Sequence, residues 1–186
     1  MPIPPEFTEA TDRKTLDIAI DQFGKAEVVT EDDLCAALRA VNHWRDCITH
    51  ADDFDYKDKR ITWYGYEWLI WHLGESFRQI MFRNKKLRRN ERVFERVQAL
   101  CLEPRFGKGR ESFTMLLGRY GGASQIPVLV RLLGDPQVCG HAVYGLRLLG
   151  ASEAADKVRP FLNSPKAWIR QEAGKYFEKI EATTKK

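Results

Sequence analysis

The sequence predicts an all-α protein arranged as a right-handed helical-repeat solenoid of about nine helices. The first observation is a repeat. The apolar columns of residues 135–150 return in residues 110–121 and in residues 164–180, at offsets of 29 and 31 positions. Units of about thirty residues, each made of two short helices, cannot bury their apolar faces alone and must stack on one another. The second observation is that no stretch of useful length alternates apolar and polar residues as a strand does. This architecture favours a binding surface over a catalytic one.

The N-terminal part is predicted to hold helices that diverge from the repeat, over residues 12–89. Residues 1–11 precede them and contain three prolines, so we expect a loose arm there. A helix is expected from residue 12 to residue 23 and should stop at Gly24, since glycine commonly follows the last helical residue. Thr30 is expected to cap the next helix, because its hydroxyl can accept a free backbone N–H near Asp33.

A long helix is predicted over residues 61–84. It carries the densest group of aromatic residues in the chain: Trp63, Tyr64, Tyr66, Trp68 and Trp71. Two interpretations are open. A helix in the middle of a stack needs large side chains on several faces, in which case the rings are buried. Alternatively, some rings face outward as anchors, since Trp and Tyr dominate the energetics of protein interfaces. Trp63, Trp68 and Trp71 therefore form one alternative binding surface.

A basic run follows this helix and consists of Arg83, Lys85, Lys86, Arg88 and Arg89. Asn90 is predicted to cap the next helix, which places the run in an exposed turn between two helices. Such a turn is most often simply solvated. It can also attract an acidic protein or the phosphates of a nucleic acid. The basic turn is thus a second alternative site.

One segment carries a family pattern, Asp-Pro-x-Val-x-x-x-Ala-x-x-x-Leu-x-x-Leu-Gly, formed by Asp135, Pro136, Val138, Ala142, Leu146, Leu149 and Gly150. It resembles the second helix of HEAT-like repeats, especially the short bacterial form also found in phycobilisome lyases. The resemblance covers roughly residues 90–180 and leaves residues 181–186 as a tail. It departs from the family at Cys139, where an Arg is usual. Arg110 and Arg170 restore that residue in the neighbouring repeats.

The chain length of 186 residues suits one elongated stack without a second domain, so we expect residues 1–186 to form a single helical-repeat domain. Its repeat register predicts that Ala142, Leu146, Leu149, Ala173 and Phe177 are buried between helices. The resemblance also implies a macromolecular partner, since HEAT-like proteins mostly act as scaffolds and adaptors. HEAT-like stacks resemble alkylpurine DNA glycosylases as well, but no position here corresponds to a catalytic Asp of that family.

Composition and charge restrict the class of protein further. Hydrophobic residues make up 44% of the chain and charged residues 30%, as in soluble globular proteins. No apolar run is long enough for a membrane span, and residues 1–14 show no basic start followed by an apolar core, so we expect a cytoplasmic protein without membrane contact. Four scattered cysteines are expected to be buried thiols.

The charges are distributed unevenly along the chain. Residues 1–58 hold 14 acidic and 6 basic side chains, and residues 59–186 hold 12 acidic and 24 basic side chains. This asymmetry either steers an acidic partner or helps the two ends tolerate each other.

Patterns for catalysis or metal binding are missing from the sequence. It contains no Walker A loop, no nucleophile elbow and no His-Glu-x-x-His pair. His72 and Glu75 share one helical face, but two ligands without a second pair do not make a metal site. We therefore expect no catalytic residue, no metal and no cofactor.

The repeat register predicts which side chains remain free on the concave face of the stack. They are His141, Tyr144 and Arg147 in the central repeat, with counterparts Lys108, Glu111, Met115, Glu172 and Lys175 in its neighbours. This mixture of charges suits another protein better than a polyanion. The sequence therefore predicts a non-enzymatic protein-binding module, an adaptor, scaffold or immunity-type inhibitor, whose partner is acidic if the basic turn takes part. Nucleic-acid binding through the basic half is the alternative.

Overall fold

The computed structural model describes residues 3–10, 12–47 and 66–184, and every regular element in these ranges is helical, which confirms the all-α prediction. Ten α-helices are described: α1 (Glu6–Glu9), α2 (Arg13–Lys25), α3 (Glu31–Cys47), α4 (Tyr66–Arg83), α5 (Glu91–Cys101), α6 (Arg110–Tyr120), α7 (Ile126–Leu132), α8 (Cys139–Leu149), α9 (Ala155–Val158) and α10 (Ala167–Thr184). Five short 3-10 segments connect some of them: Lys85–Leu87, Pro104–Gly109, Ala123–Gln125, Ser152–Ala154 and Arg159–Asn163. Within these ranges, no helix combines the length and apolar character needed to cross a bilayer.

The chain divides into two compact units, Met1–Phe113 and Thr114–Lys186. The first unit contains α1 to α5 and the start of α6, and the second contains the rest of α6 and α7 to α10. The expectation of one domain over residues 1–186 stays a prediction.

The expected loose arm at the N-terminus is wrong, because part of it is packed in the first unit. The short helix α1 places Phe7 at 0% exposure, where its ring meets the rings of Phe23 and Trp44 edge-on at 5.4 Å each. The Trp44 indole N–H also donates a 2.8 Å hydrogen bond to the Phe7 carbonyl. One buried aromatic residue therefore anchors a segment whose prolines suggested disorder.

The predicted stop of α2 at Gly24 is also wrong, since α2 continues to Lys25. Gly24 lies inside the helix at its contact with α4. A Cβ atom there would approach the Ser76 hydroxyl to 2.7 Å. That hydroxyl donates a 3.1 Å hydrogen bond to the Ile20 carbonyl one turn earlier. The glycine serves close packing of two helices, and it does not terminate one.

Both predicted helix caps of the first unit are confirmed. The Thr30 hydroxyl accepts the Asp33 N–H at 3.2 Å, and the Asp33 carboxylate accepts the Thr30 N–H at 2.8 Å, which is a reciprocal capping box. Asn90 accepts the Val93 N–H at 3.1 Å at the start of α5. These bonds satisfy backbone donors that have no partner inside the helix.

In the second unit, the helix predicted from Pro136 begins three residues later, at Cys139. Asp135 holds the preceding turn, since its side chain accepts the Gln137 N–H at 3.0 Å and its carbonyl accepts the Cys139 N–H at 2.8 Å. The end of this helix is as predicted, with Gly150 in the left-handed conformation at φ 67°. The predicted tail is partly wrong, because α10 continues through residue 184.

The repeat position occupied by Arg110 and Arg170 has a common role in this chain. Arg110 is buried and donates to the Gly107 and Cys101 carbonyls, at 2.8 and 3.1 Å. Arg170 likewise donates to the carbonyls of the turn before α10. At Cys139 only a long thiol contact of 4.0 Å to the Pro136 carbonyl remains. Burial raises the pKa of this half-buried thiol, so it stays protonated and neutral.

The core prediction for the second unit is right at three positions and wrong at two. Ala142, Leu146 and Ala173 are fully buried, whereas Leu149 and Phe177 are only half-buried. In α10 it is Tyr176 that reaches 0% exposure, and its hydroxyl donates a 2.5 Å hydrogen bond to the Ala151 carbonyl. A buried phenol needs such an acceptor. The Phe177 ring instead lies under the Arg159 guanidinium, at 5.2 Å.

Gly118 of α6 and Gly145 of α8 make a close helix contact in the second unit. A Cβ atom at Gly118 would overlap the Gly145 backbone, which cannot turn aside as a side chain can. We expect Gly118→Ala to destabilise the protein by about 1–3 kcal/mol, because overpacking outweighs the gain in helix propensity. Urea denaturation would measure it.

Gly174 provides the matched control, since a Cβ atom there meets nothing within 4 Å on the same kind of helical backbone. Gly174→Ala should stabilise the protein by up to about 1 kcal/mol. Equal effects of the two substitutions would contradict the close contact.

Candidate functional site

A row of polar side chains crosses three helices of the second unit. The Arg119 guanidinium of α6 lies 3.5 Å from the Tyr144 hydroxyl of α8, and the Arg147 guanidinium covers the Tyr144 ring at 5.1 Å. Arg147 Nε then donates to the Glu172 carboxylate of α10 at 2.9 Å, and Lys175 Nζ reaches the same carboxylate at 3.2 Å. We call Arg119, Tyr144, Arg147, Glu172 and Lys175 the cross-helix ladder.

The ladder joins a shielded ion pair to exposed cations. The side chains of Arg147 and Glu172 are 21% and 15% exposed, whereas Lys175 is 44% exposed. Shielding from water and two partners on one carboxylate hold Glu172 and Arg147 in place. Three cations and one carboxylate leave the ladder with an excess of positive charge. The surface is therefore held in a fixed arrangement and carries net positive charge.

Trp168 lies beside the ladder at the start of α10 and is 43% exposed. Its ring fills the space above Gly140, where a Cβ atom would overlap the indole, and it contacts the His141 ring at 5.1 Å. Sequence reasoning missed this residue. The signal was present, since the 31-residue offset that aligns Glu172 with His141 also aligns Trp168 with Gln137, an exposed position in the turn that leads into α8.

His141 supports the indole as a neutral group. Burial lowers the pKa of His141 to about 4, and the positive charge of Lys166 acts in the same direction. At neutral pH the imidazole is therefore uncharged, and it packs against Trp168 as a flat, largely apolar surface. This role is structural and positions the indole.

The structure brings together most, but not all, of the predicted partner-binding residues. His141, Tyr144, Arg147, Glu172 and Lys175 lie in the second unit, and the last four belong to the ladder. Met115 lies in the same unit and is half-buried. Lys108 and Glu111 belong to the first unit, where the Lys108 N–H donates a 3.1 Å hydrogen bond to the Glu67 carboxylate.

The basic turn is less available than the sequence indicated. Arg83 donates to the Gly24 and Ala26 carbonyls at the end of α2. Arg88 is half-buried and donates to the Met81 and Phe82 carbonyls, at 2.8 and 3.0 Å. These two arginines satisfy helix-end carbonyls, which is an internal role. Lys85, Lys86 and Arg89 are exposed, and so is Arg83 despite its hydrogen bonds.

Two tryptophans of the aromatic helix are half-buried, while Trp63 lies outside the described residues. Trp68 and Trp71 stack with centroids 5.3 Å apart, and the Trp68 N–H donates to Asp17 of α2 at 3.3 Å. His72 Nδ1 lies 2.7 Å from the same Asp17 oxygen. Partial burial would raise the pKa of Asp17, but the hydrogen bond and charge of His72 and the Trp68 hydrogen bond outweigh it and lower the pKa below its usual value.

These contacts separate the residues that shared one helical face in the sequence. His72 pairs with Asp17, whereas Glu75 pairs with Arg78 at 2.7 Å. Within the described ranges, no three His, Cys, Asp or Glu side chains are grouped as metal ligands are.

Comparison with known proteins identifies no family. No family model matches the chain, and no curated protein matches it. Among solved structures, it is similar to an engineered protein from the Northeast Structural Genomics Consortium, at 14% identity and a TM-score of 0.45. The similarity covers 95% of this chain and 46% of the other, so the chain spans less than half the length of that protein. A likeness at this level carries no argument about function.

The two kinds of basic residue in the turn should differ in their effect on stability. Arg88→Ala should cost about 1.5–3 kcal/mol, because it removes hydrogen bonds from a charged group to two carbonyls. Lys86→Ala should change the stability by less than about 0.5 kcal/mol, as exposed charges generally do. Urea denaturation of both variants measures the difference, and equal effects would show that Arg88 is a solvated residue.

His141 should make the stability depend on pH. The pKa of His141 is about 4 in the folded protein and 6.5 for a free histidine side chain, so the unfolded chain binds the proton more readily between these values. The contribution of neutral His141 is complete above pH 6.5 and is lost as the pH falls towards 4. At pH 5 the loss should be about 2 kcal/mol relative to pH 7.

Urea denaturation of wild type and His141→Gln at pH 7 and pH 5 tests this expectation. The variant should lack that part of the pH dependence, whereas the control His43→Gln, at an exposed position, should retain it. An unchanged pH dependence in His141→Gln would mean that other groups cause it.

Proposed function

We propose that this chain is a HEAT-like, right-handed solenoid that binds another protein and catalyses no reaction. Its binding surface is the face of α6, α8 and α10 in the second unit that carries the cross-helix ladder and Trp168. The repeated pattern in the sequence supports the architecture, and the packing of α8 against α10 at Gly140 and Trp168 is compatible with it. An adaptor, scaffold or immunity-type inhibitor would use such a surface.

The observation that carries the proposal is the exposed Trp168 indole beside an ordered Arg and Tyr pair. The indole is 43% exposed, and tryptophan, tyrosine and arginine are the residues enriched at interface hot spots. It is held from below by His141 and by the absence of a side chain at Gly140. The indole therefore loses little conformational freedom on binding, which favours affinity.

The charges of the surface specify the partner's chemistry. Glu172 is occupied by Arg147 and Lys175, so carboxylates of the partner meet the remaining positive charge of Arg119 and Lys175. Next to these cations the partner would present an apolar or aromatic group to Trp168. We propose an acidic protein segment that contains at least one apolar side chain.

Buried thiols at Cys35 and Cys101 suit a reducing compartment such as the cytoplasm.

Nucleic-acid binding through the basic half is the weaker proposal. Arg83 and Arg88 donate to backbone carbonyls, and Arg92 is paired with Glu31 and Asp32 at 3.0 and 2.6 Å. The cations left for phosphates are fewer than the sequence indicated, whereas a continuous basic surface is what polyanion binding requires.

Site-specific photo-crosslinking tests the proposed surface. p-Benzoylphenylalanine at position 168 should capture a partner in cells that express the protein, whereas the same group at Leu162, an apolar residue of the same unit at 37% exposure, should not. The captured protein would then be identified by mass spectrometry and purified.

The affinity of that purified partner measures the contribution of the surface. Trp168→Ala should weaken binding by about 2 kcal/mol at a temperature where circular dichroism shows that the variant is folded, and Leu162→Ala should leave binding unchanged. Tyr144→Ala with Arg147→Ala should weaken binding as well. The proposed surface is wrong if Trp168→Ala binds normally, or if the two positions capture the same proteins.

A further inference from the structure

A pocket of about 230 Å³ lies in the first unit, between α3, α5 and the Pro104–Gly109 segment. Its floor consists of the buried side chains Leu38, Leu100 and Phe106, each no more than 6% exposed. Its rim is polar and is formed by Arg39, Asn42, Arg96, Glu103 and Arg105, with Ala99 completing the wall. An apolar floor beneath a few polar groups is typical of small-molecule sites.

One of the three arginines is engaged by the protein itself. Arg105 donates to the Asn42 side chain, lies over the Phe106 ring at 4.8 Å and reaches the Glu103 carboxylate at 3.9 Å. The Glu103 carboxylate also accepts the Arg105 N–H at 3.4 Å. Arg105 and Glu103 therefore form a wall of the pocket and largely neutralise one another.

The other two arginines are different. Arg39 of α3 and Arg96 of α5 are exposed, and neither guanidinium makes an ion pair or hydrogen bond with the described residues. Two unpaired guanidinium groups on neighbouring helices, above one apolar floor, attract an anion. Arginine is especially suited to carboxylates, which it binds through two parallel hydrogen bonds.

We propose that this pocket binds a small carboxylic acid with one compact apolar group, such as an aromatic ring. The carboxylate is held by Arg39 and Arg96, and the ring lies on Leu38, Leu100 and Phe106. The size agrees, since an apolar cavity of about 150 Å³ can hold one benzene molecule and this pocket is somewhat larger. This site lies in the first unit and is independent of the proposed protein-binding surface.

Phenylacetate is the probe, and titration calorimetry with amide NMR shifts is the measurement. We expect saturable binding, with shifts at Leu38, Leu100 and Phe106. Phenylacetamide, which has the ring without the charge, should bind at least about tenfold more weakly, and so should acetate, which has the charge without the ring. Absence of saturable phenylacetate binding up to about 10 mM would overturn the proposal.

Matched variants separate a pocket from general charge attraction. Arg39→Gln with Arg96→Gln should weaken binding at least about tenfold. Lys85→Gln with Lys86→Gln also removes two positive charges, but from exposed positions outside the pocket. This double variant should bind phenylacetate with an affinity within about twofold of wild type. Ala99→Phe keeps all charges but fills the opening and should abolish binding. Melting of each variant confirms its folding.

Two results would refute the pocket assignment. One is equal weakening by the two double variants, which would indicate nonspecific attraction. The other is full binding by a folded Ala99→Phe variant, which would place the ligand elsewhere.

Discussion

Close contact between helices at positions without a side chain is the constraint on which the rest of the structure depends. In the first unit, Gly24 lets α2 approach α4 so that Ser76 can reach the Ile20 carbonyl. In the second unit, Gly118 and Gly145 bring α6 against α8, and Gly140 receives the Trp168 ring. The distances in the cross-helix ladder require this approach, since hydrogen bonds between side chains of neighbouring helices form only over a narrow range of separations. Steric fit thereby controls the geometry of the polar surface.

Several arginines among the described residues have an internal use. Arg83, Arg88, Arg110 and Arg170 all donate to backbone carbonyls at or next to the ends of helices. Helix ends leave carbonyls without partners, and a guanidinium with several donors can satisfy two at once. Arg92 of α5 also has an internal partner, because it pairs with the Glu31 and Asp32 carboxylates at the start of α3. A net charge of +4 is therefore a poor guide to what the protein binds, and the positions that remain free are more informative.

Each unit contains one surface in which aromatic or apolar groups lie beside uncompensated positive charge. In the second unit, the exposed Trp168 lies beside the net positive charge of the ladder, which is the basis of the proposed acidic partner. In the first unit, the small pocket has its apolar floor beneath Arg39 and Arg96, which is the basis of the proposed small carboxylic acid. The difference lies in shape. An exposed indole buries area against another surface, whereas a recessed floor can be covered only by a group that enters it.

The features predictable from the sequence are those produced by neighbours along the chain. Helical periodicity, the caps at Thr30 and Asn90 and the stop at Gly150 depend on contacts within a few residues, and the structure confirms them. The candidate site was predictable in part for another reason, because the 31-residue repeat offset places Tyr144 and Lys175 at equivalent positions of neighbouring repeats. Four features were not predictable from the sequence. They are the burial of Phe7, the continuation of α2 through Gly24, the burial of Tyr176 in place of Phe177, and the hydrogen bonds of Arg88 to helix-end carbonyls. Each of these features depends on a contact with an atom of another helix or turn. The sequence alone does not show which atoms tertiary packing brings close to one another.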